Sequence, residues 1–282
     1  MILVAESGST KTQWCAVYPD RIENLHNTAG INPLLLTIDE IETIIRPVLA
    51  GIEISDVESV YYFGAGCGTI AMKEKIGKAL FLVFEAPEIV VDTDLIAACL
   101  ALAGDKPAMV GLLGTGSNSC LWNGATIEYK TPSLGFILGD EGGGVSLGKQ
   151  LVSDFLQNQM PLNLRVKFIE KYDVSVETVL ERVYQMQMPN RYLAGFAPFI
   201  ESFIDDPYCQ SLLNDQFDRY LKRNILQYKN ATAYDLHFCG SIAYVHRDHL
   251  TAVCRKYNLT IGKIVKEPLD DLARFLKDKL YG

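Results

Sequence analysis

The chain has no apolar run near the ~20 residues that a membrane-spanning helix needs; its richest runs, residues 95–103 and 79–84, are far too short. It has no surplus of positive charge. Lys and Arg number 26 against 34 Asp and Glu, and the formal net charge of −8 argues against a nucleic-acid or anionic-membrane binder. An anion such as a nucleotide could then be held only by a local device: backbone N–H groups, a helix N-terminus or a metal. No C-x-x-C pair occurs among the seven scattered cysteines, a pattern of buried or incidental thiols in a reducing compartment rather than of a disulfide frame or a cluster site. Only four histidines are present; His246 and His249 share a predicted helix face without a third ligand, so no metal centre is expected from them. A G-x-S-x-G elbow is also missing. The opening Met-Ile-Leu-Val carries no basic region and no small-residue cleavage site, so no secretory signal is expected and the expected location is cytoplasmic.

What is there reads as an ordinary globular α/β protein of one or two domains. Residues 1–5, 12–18 and 21–27 read as three strands joined by tight turns. A helix follows over 37–50, where Ile38, Ile41, Ile44, Ile45 and Val48 recur at helical spacing. Then come a strand at 60–63, a helix over 70–84, a strand at 88–91 and a helix over 95–103. The second half opens the same way, with strands at 107–113, 119–122 and 125–129 and the hairpin turn Asn123-Gly124 between the last two. It turns helical from 145 to about 227, interrupted at Pro161, Pro189 and Pro207. A strand at 235–239, a helix over 242–257, a short strand at 261–265 and an amphipathic helix after Pro268 complete it. The repeated element order predicts two related domains, 1–105 and 106–267, with a cleft between them and the last helix (268–282) returning to the first.

Three glycine-rich loops carry the chemistry. Glu6-Ser7-Gly8-Ser9-Thr10-Lys11-Thr12 joins the first two strands, and Gly114-Thr115-Gly116-Ser117-Asn118-Ser119 occupies the equivalent place in the second half. Small residues let backbone approach a ligand, and hydroxyl and N–H donors suit phosphate oxygens. Either loop alone reads as an ordinary hairpin turn; two at equivalent positions read as a nucleotide clamp. The third, Gly139-Asp140-Glu141-Gly142-Gly143-Gly144, enters a helix and is expected to aim its N–H groups outward at an anionic or polyhydroxyl ligand.

Two decoys are rejected. Gly143-x-x-x-x-Gly148-Lys149-Gln150 lacks the Ser/Thr of a Walker A loop and falls inside a predicted helix, and Gly64-Ala-Gly66-Cys-Gly68 has Thr69 where a dinucleotide fingerprint needs glycine. At Asp92-Thr93-Asp94 a strand ends and a helix begins. Asp94 there is either an N-cap or a general base exposed at the carboxyl end of a strand. Asp94 is preferred to Asp92 for the second role, which phosphoryl transfer to an alcohol requires.

The stretch from Asp92 to Gly144, with its T-D, GTGSNS and GDEG elements in order, resembles N-acetylglucosamine kinases and the wider BadF/BadG-type ATPases of the actin, sugar-kinase and heat-shock-chaperone superfamily. The ESGSTKT loop is similar to the family's first phosphate motif, Gly30-Ile31-Asn32-Pro33 to its substrate-asparagine loop, and Cys239-Gly240-Ser241-Ile242-Ala243 to its adenosine motif. The resemblance implies two ribonuclease-H-like domains and ATP-dependent phosphorylation of the 6-hydroxyl of N-acetylglucosamine, with Mg2+.

Asp94 would then be the base. Asn32, Ser117, Asn118, Gly135 and Asp140 would hold the sugar. Ser9, Thr10, Lys11, Thr115 and Gly116 would meet the phosphates, Gly240 and Ser241 the adenosine, and Glu6 would position Mg2+ through water. The implied partner is a small-molecule sugar, with no nucleic acid and no membrane; a homodimer is left open. Ser7 and Ser9 replace glycines of the first motif, narrowing the loop or adding hydroxyl donors. Ser133-Leu134-Gly135-Phe136 stands where the family commonly carries Gly-Trp-Gly-His, so glucosamine or a muramic-type sugar are alternative acceptors. An activator-type ATPase with an iron–sulfur cluster is a further alternative that the cysteine spacing does not favour.

Overall fold

The computed structural model describes residues 1–8 and 10–282, and the chain forms two compact units, Met1–Asp105 with Glu267–Gly282, and Lys106–Lys266. In the first unit, strands β1 (Ile2–Ser7), β2 (Lys11–Val17), β3 (Ile22–Asn24) and β4 (Thr28–Ala29) precede helix α1 (Ile38–Ile45), strand β5 (Ser59–Gly64), helix α2 (Ile70–Phe84), strand β6 (Glu88–Asp92) and helix α3 (Asp94–Leu102). The sheet order is β3-β2-β1-β5-β6, with β4 paired to β2. The β1–β2 and β2–β3 pairs are antiparallel, and β1–β5 and β5–β6 are parallel. Ile2, Leu3, Val4 and Ala5 are all buried, as a central strand covered on both faces demands.

The second unit repeats this plan. Strands β7 (Ala108–Leu113), β8 (Ser117–Trp122) and β9 (Ile127–Tyr129) lead into helices α4 (Gly135–Leu138), α5 (Gly144–Leu156), α6 (Leu162–Lys171), α7 (Val176–Tyr184), α8 (Pro189–Ala194), α9 (Pro198–Ser202) and α10 (Pro207–Arg223). Strand β10 (Asp235–Cys239), helices α11 (Ser241–Val245) and α12 (Arg247–Arg255) and strand β11 (Thr260–Val265) follow. Its order is β11-β10-β7-β8-β9, the same arrangement of an antiparallel three-strand meander beside two parallel strands. Both sheets are thus ribonuclease-H-like. Helices α5, α6, α9 and α10 supply much of the second core, where Phe168 stacks on Phe196 and meets Phe199 edge-on.

Three elements differ from the sequence expectation. The helix expected over 37–50 opens on a Thr37/Glu40 capping box, as its acidic first turn suggests, but becomes a 3-10 turn at Arg46–Gly51. Pro47 lacks the N–H that would continue the α-helix. The strand expected over 21–27 shortens to β3 and resumes as β4. The helix expected over 242–257 breaks at buried His246, whose φ of −106° and ψ of 28° are not helical, while no proline or glycine marks the place.

The last helix, α13 (Leu269–Tyr281), belongs to the first unit and packs on α3, β1 and β2. Leu269, Leu272, Ala273 and Leu276 are buried at i, i+3, i+4 and i+7, and Phe275 lies over Gly104, whose φ of +57° ends α3. Leu272 is fully buried. Leu272→Ala should therefore cost about 3 kcal/mol in urea unfolding; a loss below about 0.5 kcal/mol, typical of surface changes, would mean this helix is not part of the core.

Candidate active site

The first unit gathers its polar residues by strand register. Glu6 pairs with Phe63 across β1–β5, and Phe63 pairs with Asp92 across β5–β6, so all three stand level near the carboxyl ends of parallel strands. That edge is where open α/β sheets expose ligand sites. Thr93 caps α3 by accepting from the Ile96 N–H, so Asp94 is the first helical residue and not its N-cap. The Leu95 N–H donates to Asp94 Oδ1 at 2.9 Å. Asp92 is committed elsewhere: it accepts from Lys73 Nζ and from the Thr93 N–H, both at 2.8 Å.

Glu6 is pushed up to about 8, first by burial, then by the neighbouring carboxylates of Asp94 and Glu267, with Lys11 opposing. Lys11 Nζ pairs with Glu267 at 2.6 Å, and Gln13 Nε2 donates to the other Glu267 oxygen at 2.8 Å. The segment entering α13 thereby reaches the first loop. The Ser7 hydroxyl is buried, bonds to Thr12 Oγ1 at 2.7 Å and accepts from the Ile31 N–H. Ser7 therefore ties the hairpin to the Asn32 loop and adds no outward donor, which removes the second of the two expectations attached to it. Thr10 sits exposed at the turn, its carbonyl accepting from the Gly30 N–H at 3.0 Å. Ser9, expected among the phosphate contacts, lies outside the described residues. Asn32 Oδ1 accepts from the Leu34 N–H at 3.0 Å beside Gly66.

In the second unit the β7–β8 hairpin and the start of α5 are fastened together. The Gly144 and Val145 N–H groups donate to the Gly114 and Thr115 carbonyls, each at 2.8 Å. This overturns the expectation that the glycines aim these N–H groups outward: the hairpin carbonyls take them. The contact exists because neither backbone carries a side chain there. A methyl on Gly143 would stand 2.6 Å from the Gly116 carbonyl carbon. Asp140, at φ +59°, accepts from the Ser117 N–H through Oδ1 at 2.9 Å and lies against Gly116. Burial raises its pKa, the Ser117 N–H opposes this, Glu141 adds to the rise and Lys149 opposes it. Asn118 Oδ1 accepts from the Ser119 N–H. Gly135 opens the short exposed helix α4 at φ +68°, away from this cluster's hydrogen bonds.

At the end of β10, Gly240 has φ +123°, and a methyl there would reach within 2.3 Å of the Leu113 carbonyl oxygen. Gly114, Thr115, Gly144 and Ser241 consequently line one cavity of about 160 Å³, together with residues of α8, α9 and α11. Ala197, Glu201 and His246 on its wall were not foreseen. Ala197 and Glu201 belong to the start and body of α9, far in sequence from the glycine loops, and His246 follows α11 with no local motif to announce it. The same holds for Glu267.

No model of a protein family matches the chain, and no curated protein matches it in sequence. Among solved structures, the chain is similar to a "putative N-acetylglucosamine kinase" from Porphyromonas gingivalis, at 38% identity over 99% of both chains with a TM-score of 0.92. A protein of the same description from Chromobacterium violaceum is 16% identical over 98% of both chains, with a TM-score of 0.73. A ROK family glucokinase from Streptomyces griseus, in complex with glucose and AMPPNP, is 16% identical over 98% of this chain and 97% of its own, with a TM-score of 0.56. The last two likenesses concern the fold alone.

The raised Glu6 sets the sign of a pH effect. The folded protein keeps this proton up to about pH 8, whereas the unfolded chain releases it near 4.5. Between those values the folded state binds more protons, so stability falls as pH rises. Urea unfolding of metal-free protein should show this decline from pH 5 to 8, and Glu6→Gln should flatten it; an identical slope in the variant would refute the burial of Glu6.

Proposed function

The chain belongs to the N-acetylglucosamine kinase family of actin-like sugar kinases, and from that premise we propose that it transfers the γ-phosphoryl group of ATP to the 6-hydroxyl of N-acetylglucosamine. Asp94 is the base. It follows the register-aligned ends of β1, β5 and β6, and its competitor Asp92 is held by Lys73. The place of Asp94, two residues past the register-aligned end of β6, is the observation that carries the assignment.

The reaction asks little covalent chemistry of the protein. The sugar oxygen attacks phosphorus in line, its proton passes to the Asp94 carboxylate, and ADP departs with the bridging oxygen. Asn32 and Asn118 each spend Oδ1 on a neighbouring backbone N–H, which leaves their NH2 groups to donate to sugar hydroxyls. Asp140 likewise uses Oδ1 on Ser117 and offers Oδ2 as an acceptor, with Ser117 and Gly135 completing the sugar contacts. Ser9, Thr10, Thr115 and Gly116 serve the phosphates, and Gly240 and Ser241 the adenosine. Lys11 has three donors, so it meets a phosphate while keeping Glu267.

Among the described residues, no group of three or more His, Cys, Asp or Glu side chains is arranged to hold a metal alone. Mg2+ carried by a nucleotide needs only one or two protein carboxylates. Glu6 fits that need, since burial and two neighbouring carboxylates disfavour its anion and a nearby cation would restore it. Glu6 would hold Mg2+ through water, and the ion would supply positive charge to offset the charge that develops on the phosphates.

Asp94→Asn should lower kcat for sugar-dependent ADP release by about 10²–10⁴-fold, while calorimetry finds ADP binding retained. Full turnover in that variant would remove Asp94 from the role of base.

A further inference from the structure

The glycine turn over residues 64–68 has no part in the reading above, yet it lies against Asn32. Its Ala65 N–H donates to the Ser7 carbonyl at 3.0 Å. Gly66 follows at φ +85°, so near that a methyl there would stand 3.0 Å from Asn32 Oδ1 and 3.2 Å from the Pro33 ring. The segment before Asn32 reaches the same strand end. Three consecutive residues each make one bond to the β1–β2 hairpin. The Ala29 carbonyl accepts from Thr12 Oγ1 at 3.0 Å, the Gly30 N–H donates to the Thr10 carbonyl at 3.0 Å, and the Ile31 N–H donates to Ser7 Oγ at 3.2 Å.

From this convergence we infer that Ser7 is a positioning residue for the acceptor sugar: its carbonyl and its hydroxyl hold the two segments that flank Asn32, and it acts through Asn32 rather than on a phosphate. This rests on the kinase reading above and adds to it a residue of the first glycine loop that serves the other substrate.

The hydroxyl protons admit one order. The Ala29 carbonyl can only accept, so it takes the Thr12 proton. Ser7 then supplies the proton of the 2.7 Å bond to Thr12 and keeps lone pairs for the Ile31 N–H. Ser7, Thr12 and Ile31 are fully buried, so a partner lost from this relay leaves a buried polar group unpaired. Ile31 leads directly into Asn32, whose carbonyl closes the next turn by accepting from the Leu35 and Leu36 N–H groups. Displacing Ile31 therefore moves the Asn32 amide and leaves the backbone pairing of β1 with β2 intact.

The test compares steady-state kinetics of the full chain with Ser7→Ala, Thr12→Val, Asn32→Ala and the Ser7→Ala/Asn32→Ala double variant. Ser7→Ala should raise KM for N-acetylglucosamine about tenfold and change KM for ATP less than about twofold. Thr12→Val keeps the side-chain shape but removes the acceptor of the Ser7 proton, and should show the same selectivity at about threefold. In the Asn32→Ala background, Ser7→Ala should lower kcat/KM for the sugar by less than about twofold, because the residue it acts through is gone. Deuterium exchange followed by NMR should find the Ile31 amide about tenfold faster in Ser7→Ala than in the parent. Equal rises in both KM values, a rise for ATP alone, an undiminished effect in the Asn32→Ala background or unchanged Ile31 exchange overturns the inference and leaves the kinase reading standing. Absence of sugar-dependent turnover by the parent protein overturns both.

Discussion

Backbone lying directly on backbone is the constraint on which the junction of the β7–β8 hairpin with α5 and the end of β10 depends. At Gly143 against Gly116, and at Gly240 against Leu113, the approach is closer than any side chain would permit. Only there do the Gly114 and Thr115 carbonyls reach the first N–H groups of α5. Those bonds satisfy helix-end donors that would otherwise need a partner, and they fix the hairpin relative to both α5 and the start of α11. The cavity beneath is a consequence of that three-way junction.

The first unit solves a different problem. Parallel pairing of β1, β5 and β6 brings an acid to the same level on two outer strands, and Asp94 follows within one turn. Crowding of this kind raises the cost of ionisation, and Glu6, pushed up by burial and by the Asp94 and Glu267 carboxylates, shows that cost. Glu267, delivered by the segment that enters α13, answers it by fixing Lys11 against the same loop. An acidic protein of net charge −8 in this way keeps a lysine fixed beside its crowded carboxylates.

Much of this was legible in the residues. Strand β1 announces itself by continuous apolar character, the two hairpin loops by their glycines and hydroxyls, and the repeated order of elements by periodicity alone. Local rules failed where tertiary contacts decide. The break at His246 has no proline or glycine to signal it, and the N-terminus of α5 looked like an anion site until the hairpin carbonyls were seen to occupy its donors. The sequence left Asp94 as either a cap or a base; Thr93 takes the cap position because its hydroxyl reaches the Ile96 N–H. Glu201 and Glu267 are single residues from distant segments, and no spacing in one sequence reveals such a meeting.

The most direct test of the central claim is the product itself. Purified protein incubated with N-acetylglucosamine, ATP and Mg2+ should yield a phosphomonoester whose phosphorus couples to the two protons on carbon 6 in two-dimensional NMR, with one ADP formed per ester. Inorganic phosphate as the sole phosphorus product, or an ester at the anomeric carbon, would contradict it.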